Sequence, residues 1–240
     1  MLRRLLVLAS VGWLASAGSS SATTLLVDQV NPYSGYGYGL SSWNGMTSAL
    51  DSAFGVSNIT VSASPLDNLS YLMSFDRLWL TARQPGDPGL SAAELTNIEA
   101  FIAAGHRVVL TGENSAWGAW NNSILSTVGG TYAGAETSDT LTPVVANDIT
   151  NGITTLGTIA DGVALGGLSL FSENVVTMWG SNVVTVLSVN IEDDTFGTPK
   201  FESNLADWLA GEGTQPVPEP TSLLLLGSGL LGAARLRRKS

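Results

Sequence analysis

Between Ser91 and Asn114 the chain reads SAAELTNIEAFIAAGHRVVLTGEN, and no other stretch constrains the fold as much. Ser91 and Glu94 have the spacing of a capping box, in which the hydroxyl accepts from an orphan amide and the carboxylate reaches back to the serine amide. Leu95, Ile98 and Ile102 then share one helical face, with Phe101 beside it, and Gly105 supplies a left-handed stop. Val108-Val109-Leu110 follows as a continuous apolar run. A strand apolar on both faces is a strand buried on both faces, the situation of a parallel sheet covered by helices.

The rest of the middle region repeats this grammar. Thr24 to Asp28 is a β-type run, followed by a Gly- and Tyr-rich loop over Asn31–Ser42. Trp43, Met46, Leu50 and Ala53 recur at helical spacing, with Gly55 as a stop. Ile59 and Val61 mark a second strand and Arg77–Thr81 a third. Trp117, Trp120, Ile124 and Val128 make a further helical stripe ended by Gly129-Gly130. Asp139–Leu170 has no convincing period and reads as loops with short β segments. Val175–Trp179 and Val183–Val189 flank Gly180-Ser181-Asn182, a hairpin signal. Thr198-Pro199 opens the last helix, with Phe201, Leu205, Trp208 and Leu209 on its buried face and Gly211 at its end. The expected fold is α/β, a mostly parallel sheet with helices on both faces plus a C-terminal hairpin and helix.

Charge divides the chain differently. Of ten basic residues, only Arg77, Arg83, Arg107 and Lys200 lie between the two ends, against all twenty acids. A strongly anionic middle disfavours nucleic acid as a partner. The chain has no cysteine, which removes disulfides and thiolate chemistry. At the N-terminus, Arg3 and Arg4 precede the apolar run Leu5–Leu14. Ala15-Ser16-Ala17 and Ser20-Ser21-Ala22 offer small-residue cleavage sites. Residues 1–22 thus read as a signal peptide, and residues 23–212 as the folded domain of an exported protein.

The stretch AAELTNIEAFIAAGHRVVLTGEN with its following tryptophan-bearing helix, together with VLSVNIEDD and FESNLADWLAG, resembles the class I glutamine amidotransferase-like fold. It is similar in particular to noncatalytic relatives in exported bacterial proteins. In that family the turn after the central strand carries a nucleophile within Gly-x-Cys-x-Gly. The matching stretch here is Gly112-Glu113-Asn114-Ser115-Ala116, so glutaminase chemistry is excluded. Ser115 lacks a Gly-x-Ser-x-Gly setting. His106 begins the same strand, and about seven strand residues span over 20 Å, so it lies out of reach of Ser115. No catalytic residue is assigned.

Other chemistry gathers at the predicted carboxyl ends of the strands, where open α/β sheets bind ligands. Asp28 and Asn31 follow the first strand, Glu113 and Asn114 the fourth, and Asn190, Glu192, Asp193 and Asp194 the last. These oxygen donors suit Ca²⁺ or Mg²⁺, but they are also ordinary turn and cap residues. No EF-hand spacing is present, and no cofactor is required. Tyr33, Tyr36, Tyr38 and Trp43 on the glycine-rich loop are candidates for stacking on sugar rings, or for an aromatic lid over the sheet. A hydrolase or metal-binding enzyme built on the acidic residues is the alternative to a binding or purely structural role.

The last 25 residues are PVPEPTSLLLLGSGLLGAARLRRKS. A linker over 213–217 leads to Pro218-Glu219-Pro220, held extended by its prolines. A helix expected over 221–236 is short for a bilayer core of about 30 Å, and would insert with Arg235, Arg237, Arg238 and Lys239 held at the cytoplasmic side. Proline-glutamate-proline, a leucine-rich run and a terminal basic cluster resemble the PEP-CTERM sorting signal, residues 218–240. The same signature also goes by the name of an ice-binding protein C-terminal domain, and no regular Thr-x-Thr array here supports that label. The resemblance implies an exosortase as processing partner and transient inner-membrane anchoring with the domain in the periplasm. It further implies passage to the cell surface or beyond, and an association with exopolysaccharide.

Overall fold

A computed structural model describes residues 22–137, 140–194, 196 and 198–211. The expected signal peptide up to its last residue, the expected linker, Pro218-Glu219-Pro220, the helix expected over 221–236 and the basic cluster from Arg235 to Lys239 lie outside the described residues. Among the described residues, no helix is long and apolar enough to cross a membrane.

The strands are β1 (Leu25–Asp28), β2 (Ile59–Ser62), β3 (Arg77–Leu80), β4 (Arg107–Thr111), β5 (Thr131–Thr137), β6 (Thr140–Leu141), β7 (Leu156–Gly157), β8 (Asp161–Leu165), β9 (Leu168–Ser169), β10 (Val176–Trp179) and β11 (Val183–Val186). The α-helices are α1 (Asn44–Phe54), α2 (Leu69–Leu72), α3 (Ala92–Ala103), α4 (Gly118–Ser126) and α5 (Pro199–Ala210). A seven-stranded sheet runs in the order β2-β1-β3-β4-β11-β10-β9. Its first five strands are mutually parallel, and β10 and β9 extend it antiparallel. Two short ribbons, β5–β8 and β6–β7, stand beside it.

Alternation along the buried strands explains the two layers. Leu25, Val27, Trp79, Val109, Val184 and Val186 face one core with Met46 and Leu50 of α1 and Phe201, Leu205 and Leu209 of α5. Leu26, Leu78, Leu80, Val108, Leu110 and Leu187 face the other, with Ile98 and Phe101 of α3, Trp120 and Ile124 of α4 and Leu72 of α2. Successive strand residues point to opposite faces, so a continuous apolar run fills both layers at once. The capping box of α3 is complete, with Ser91 accepting from Glu94 N–H and Glu94 accepting from Ser91 N–H. Gly105 has φ of +89°, the left-handed value its place after the helix requires.

The structure departs from the pattern reading in several places. Trp43 precedes α1 as its N-cap, because its indole drops into the core while its backbone is still outside the helix. α2 is a single turn, too short to show a period. β5 was not legible, since its run TYAGAET lacks the apolar content of a core strand. The final predicted strand ends at Val186, and a 3₁₀ turn over Val189–Glu192 replaces its last residues.

Candidate functional site

The strand order reverses between β1 and β3, and the loops from their carboxyl ends meet there. Tyr33 N–H donates to Ala82 O at 2.8 Å, Gln84 N–H to Asn31 O at 3.0 Å and Gln84 Nε2 to Pro32 O at 2.7 Å. The β1–α1 loop is thereby laid across the segment that follows β3. Asn31 is exposed, has φ of +48° and contributes its carbonyl to this seam.

Under the seam lies Asp28, fully buried. Its carboxylate is 3.6 Å from the Arg83 guanidinium, which also bonds Glu94 at 2.8 Å and approaches Asp87 at 3.9 Å. Arg83 is itself buried and sits 4.9 Å above the Trp120 ring. Burial pushes Asp28 up to about 7, with Arg83 pulling the other way and Glu94 adding to the rise. Burial raises Glu94 as well, but the Ser91 amide and Arg83 outweigh it, and Glu94 lies below its usual value. One guanidinium thus serves three carboxylates.

The turn after β4 is closed from within. Asn121 of α4 accepts from Glu113 N–H at 3.1 Å and donates to the Glu113 and Asn114 carbonyls. Asn114 accepts from Ala116 N–H at 3.0 Å and donates to Glu113 Oε1 at 3.2 Å. A β-carbon at Gly112 would run into Asn121 Oδ1 and lie 2.6 Å from Leu187 Cδ2. One at Gly162 of β8 would lie 2.6 Å from Glu113 O and 2.7 Å from Tyr132 Cε2. Glycine lets α4 and the β5–β8 ribbon press directly on this turn.

A second acidic group lies at the end of β11. Glu192 is fully buried and accepts from Thr111 Oγ1 at 3.0 Å, while Thr111 Oγ1 accepts from Trp79 Nε1 at 2.9 Å. Burial drives Glu192 well above the usual carboxyl range, with the charges of Glu202 and Glu113 adding to the rise. Glu202 of α5 is raised to about 7 by burial and then by Asp194 and Asp193. Asp193 accepts from Phe196 N–H at 2.7 Å and from the Tyr36 hydroxyl at 3.3 Å. Burial, and then Asp193, push the Tyr36 phenol up to about 12.

Most of the anticipated ligand residues therefore act as local structure. Asp194 caps α1 from 149 residues away in sequence, accepting from Gly45 N–H at 2.7 Å and Asn44 Nδ2 at 3.0 Å. Asn190 donates to Ile159 O at 3.1 Å. Asp28, Glu113 and Asp193 each belong to a different set of partners, and among the described residues no three acids or histidines form a group that could hold a metal ion. The aromatic loop divides as well. Trp43 is 1 % exposed and packs edge-on to Trp79 at 5.1 Å, so the indole offers no face to a sugar. Tyr38 donates to Asp51 Oδ1 at 2.5 Å. Tyr33 and Tyr36 are stacked at 5.2 Å, with Tyr33 edge-on to Trp117 at 4.8 Å, and remain half-buried at the carboxyl end of the sheet.

Arg83, Thr111, Asn121 and Glu202 had not stood out in the sequence. Arg83 carried one signal, as one of four bases in an acidic domain placed directly after a strand. His106 stacks on Phe101 at 4.1 Å, and its Nδ1 lies 3.1 Å from Asp76 O, at the end of the sheet opposite the acids.

No protein of established function is recognisably similar to the chain in sequence. Solved structures share the fold. The mmIFT52 N-terminal domain aligns at 12 % identity over 77 % of this chain and 94 % of its own, with TM-score 0.59. A GMP synthase component from Thermoplasma acidophilum aligns at 11 % identity over 79 % and 96 %, with TM-score 0.53. A ThuA-like protein from Bacteroides uniformis aligns at 10 % identity over 85 % and 97 %, with TM-score 0.50. Likeness at this identity speaks to fold alone. Residues 216–239 match the PEP-CTERM protein-sorting motif. The chain carries a PEP-CTERM protein-sorting motif, which implies an exported exosortase substrate, behind an α/β domain of class I glutamine amidotransferase-like fold.

Proposed function

We propose that the mature domain is a non-enzymatic binding or structural component of the cell envelope or extracellular matrix, associated with exopolysaccharide. The observation that carries this reading is the turn after β4. The resemblance gives this turn the catalytic role in enzymes of the fold. Here Asn121 satisfies its backbone, and Gly162 packs against its carbonyl. Of the loop aromatics, the half-buried stacked pair Tyr33 and Tyr36 at the carboxyl end of the sheet is the candidate surface for a glycan, since aromatic faces with a hydroxyl handle suit sugar rings.

The sorting half of the reading is tested by replacing Pro218, Glu219 and Pro220 with alanine in cells that hold an exosortase. The expected outcome is an unprocessed chain retained in the membrane fraction, and identical size and location for both forms would refute it. The domain half is tested on a glycan array. The intact domain binds and Tyr33→Ala with Tyr36→Ala does not. An intact domain with no glycan ligand removes the exopolysaccharide role and leaves the structural one.

A hydrolase is the second reading, favoured by the raised carboxyl of Glu202 beside Asp193 and Asp194. A carboxyl protonated near neutrality is the form a general acid needs. Turnover of an oligosaccharide that disappears in Glu202→Gln would support it.

A further inference from the structure

The end of the sheet remote from Asp28, Glu113 and Asp193 is where the described chain leaves the domain. Arg77 and Arg107 are the first residues of β3 and β4. Arg77 Nε donates to Leu209 O at 2.6 Å, and Arg107 donates to Trp208 O while its guanidinium lies 5.3 Å over the Trp208 ring. These two arginines bond carbonyls of the last turn of α5, the Trp208 carbonyl accepting from Gly211 N–H as well, and their charge suits the negative end of its dipole. Gly211 ends α5 in the left-handed conformation with φ of +93°. Its Cβ position would lie 3.1 Å from Arg77 Nη2. The exit point is therefore clamped at the amino ends of the parallel strands. Asp28, Glu113 and Asp193 follow the opposite, carboxyl ends.

The tether beyond this point is short. Seven Cα–Cα steps separate Gly211 from Pro218, at most about 25 Å of fully extended chain. A domain of about 190 residues has a radius of gyration near 16 Å and is roughly 40 Å across. A tether of that length cannot carry Pro218 around the domain to the far end.

We propose that the short tether and the arginine clamp fix which end of the domain meets the processing enzyme. The end bearing Arg77, Arg107 and Gly211 faces the exosortase, and the end bearing Tyr33, Tyr36 and the acids faces away from it. This inference rests on processing at Pro218-Glu219-Pro220 and adds the orientation in which processing occurs. It also leaves the proposed glycan face unobstructed while the chain is still anchored.

The test places a photocrosslinking residue in the full chain, in cells holding the exosortase. Ala104 and Ser181 are exposed positions beside the starts of β4 and β11, and Ser34 and Ala116 are exposed positions beyond the carboxyl ends of β1 and β4. Crosslinks to the enzyme are expected from the first pair and not from the second. Crosslinks from Ser34 or Ala116, or none from Ala104 and Ser181 in a chain that is processed, overturn the orientation. A chain that is never processed overturns the sorting reading instead. A Gly/Ser insert of about 20 residues after Gly211, with an r.m.s. span of about 25 Å, should bring Ser34 and Ala116 into crosslinking range. Persistence of the original pattern in that variant overturns the tether as its cause.

Discussion

Thr111 joins two buried groups that would otherwise lack partners. Its hydroxyl accepts from the Trp79 indole and donates to Glu192, all three side chains being out of water. Thr111→Val keeps the shape and removes both bonds. An unsatisfied buried polar group costs about 1–3 kcal/mol, and the variant is expected to lose stability of that order in urea titration. A change within a few tenths would mean that the carboxyl finds another donor. At this scale the sequence was a poor guide. Asp and Asn at strand ends were visible as polar residues in suggestive places. Whether each faces a ligand, caps a helix or serves a guanidinium depends on partners up to 157 residues away, as for Tyr36 and Asp193. Side-chain chemistry alone carries no record of those pairings.

Elements were far more legible, because they are specified locally. The Ser91–Glu94 box, the buried run of β4, the hairpin β10–β11 and the Thr198-Pro199 start of α5 all form where residue pattern and turn chemistry place them. The failures lie where local signals are weak: the single turn α2, and β5, whose pairing with β8 shifts register between Tyr132 and Glu136. α1 is a mixed case. Its apolar period was plain, but Trp43 makes no side-chain cap, and the capping oxygen comes from Asp194. Asp194→Ala removes it and is expected to cost about 1 kcal/mol, the usual loss for an N-cap carboxylate. Amide exchange should quicken in the first turn of α1 while the strands keep their protection. Uniform quickening across the sheet would show that Asp194 supports more than the helix.

For the molecule as a whole, the buried acids set a direction for pH dependence. Asp28 and Glu202 are raised to about 7, from 3.8 and 4.5, and Glu192 is raised as well. The folded state then retains protons that the unfolded chain has released, so these groups stabilise it fully below about pH 4 and progressively less as pH rises to about 7. Thermal unfolding should occur at a higher temperature at pH 5 than at pH 7.5, and the reverse order would contradict the assignment. Glu202→Gln should narrow that gap by stabilising the protein at pH 7.5, by about 1 kcal/mol once screening by solvent discounts the full shift, with a smaller effect at pH 5.

Three of the four arginines and lysines of the middle region are turned inward, Arg83 onto Asp28 and Glu94, Arg77 and Arg107 onto the end of α5. Lys200 stays exposed. The described surface meanwhile exposes Asp67, Glu99, Glu173, Asp194 and Asp207. Neighbouring copies of the domain at high density therefore repel one another. The repulsion reaches only about 10 Å in 0.1 M salt and about 30 Å in 0.01 M, so the spacing of crowded copies would open in fresh water and tighten in brine.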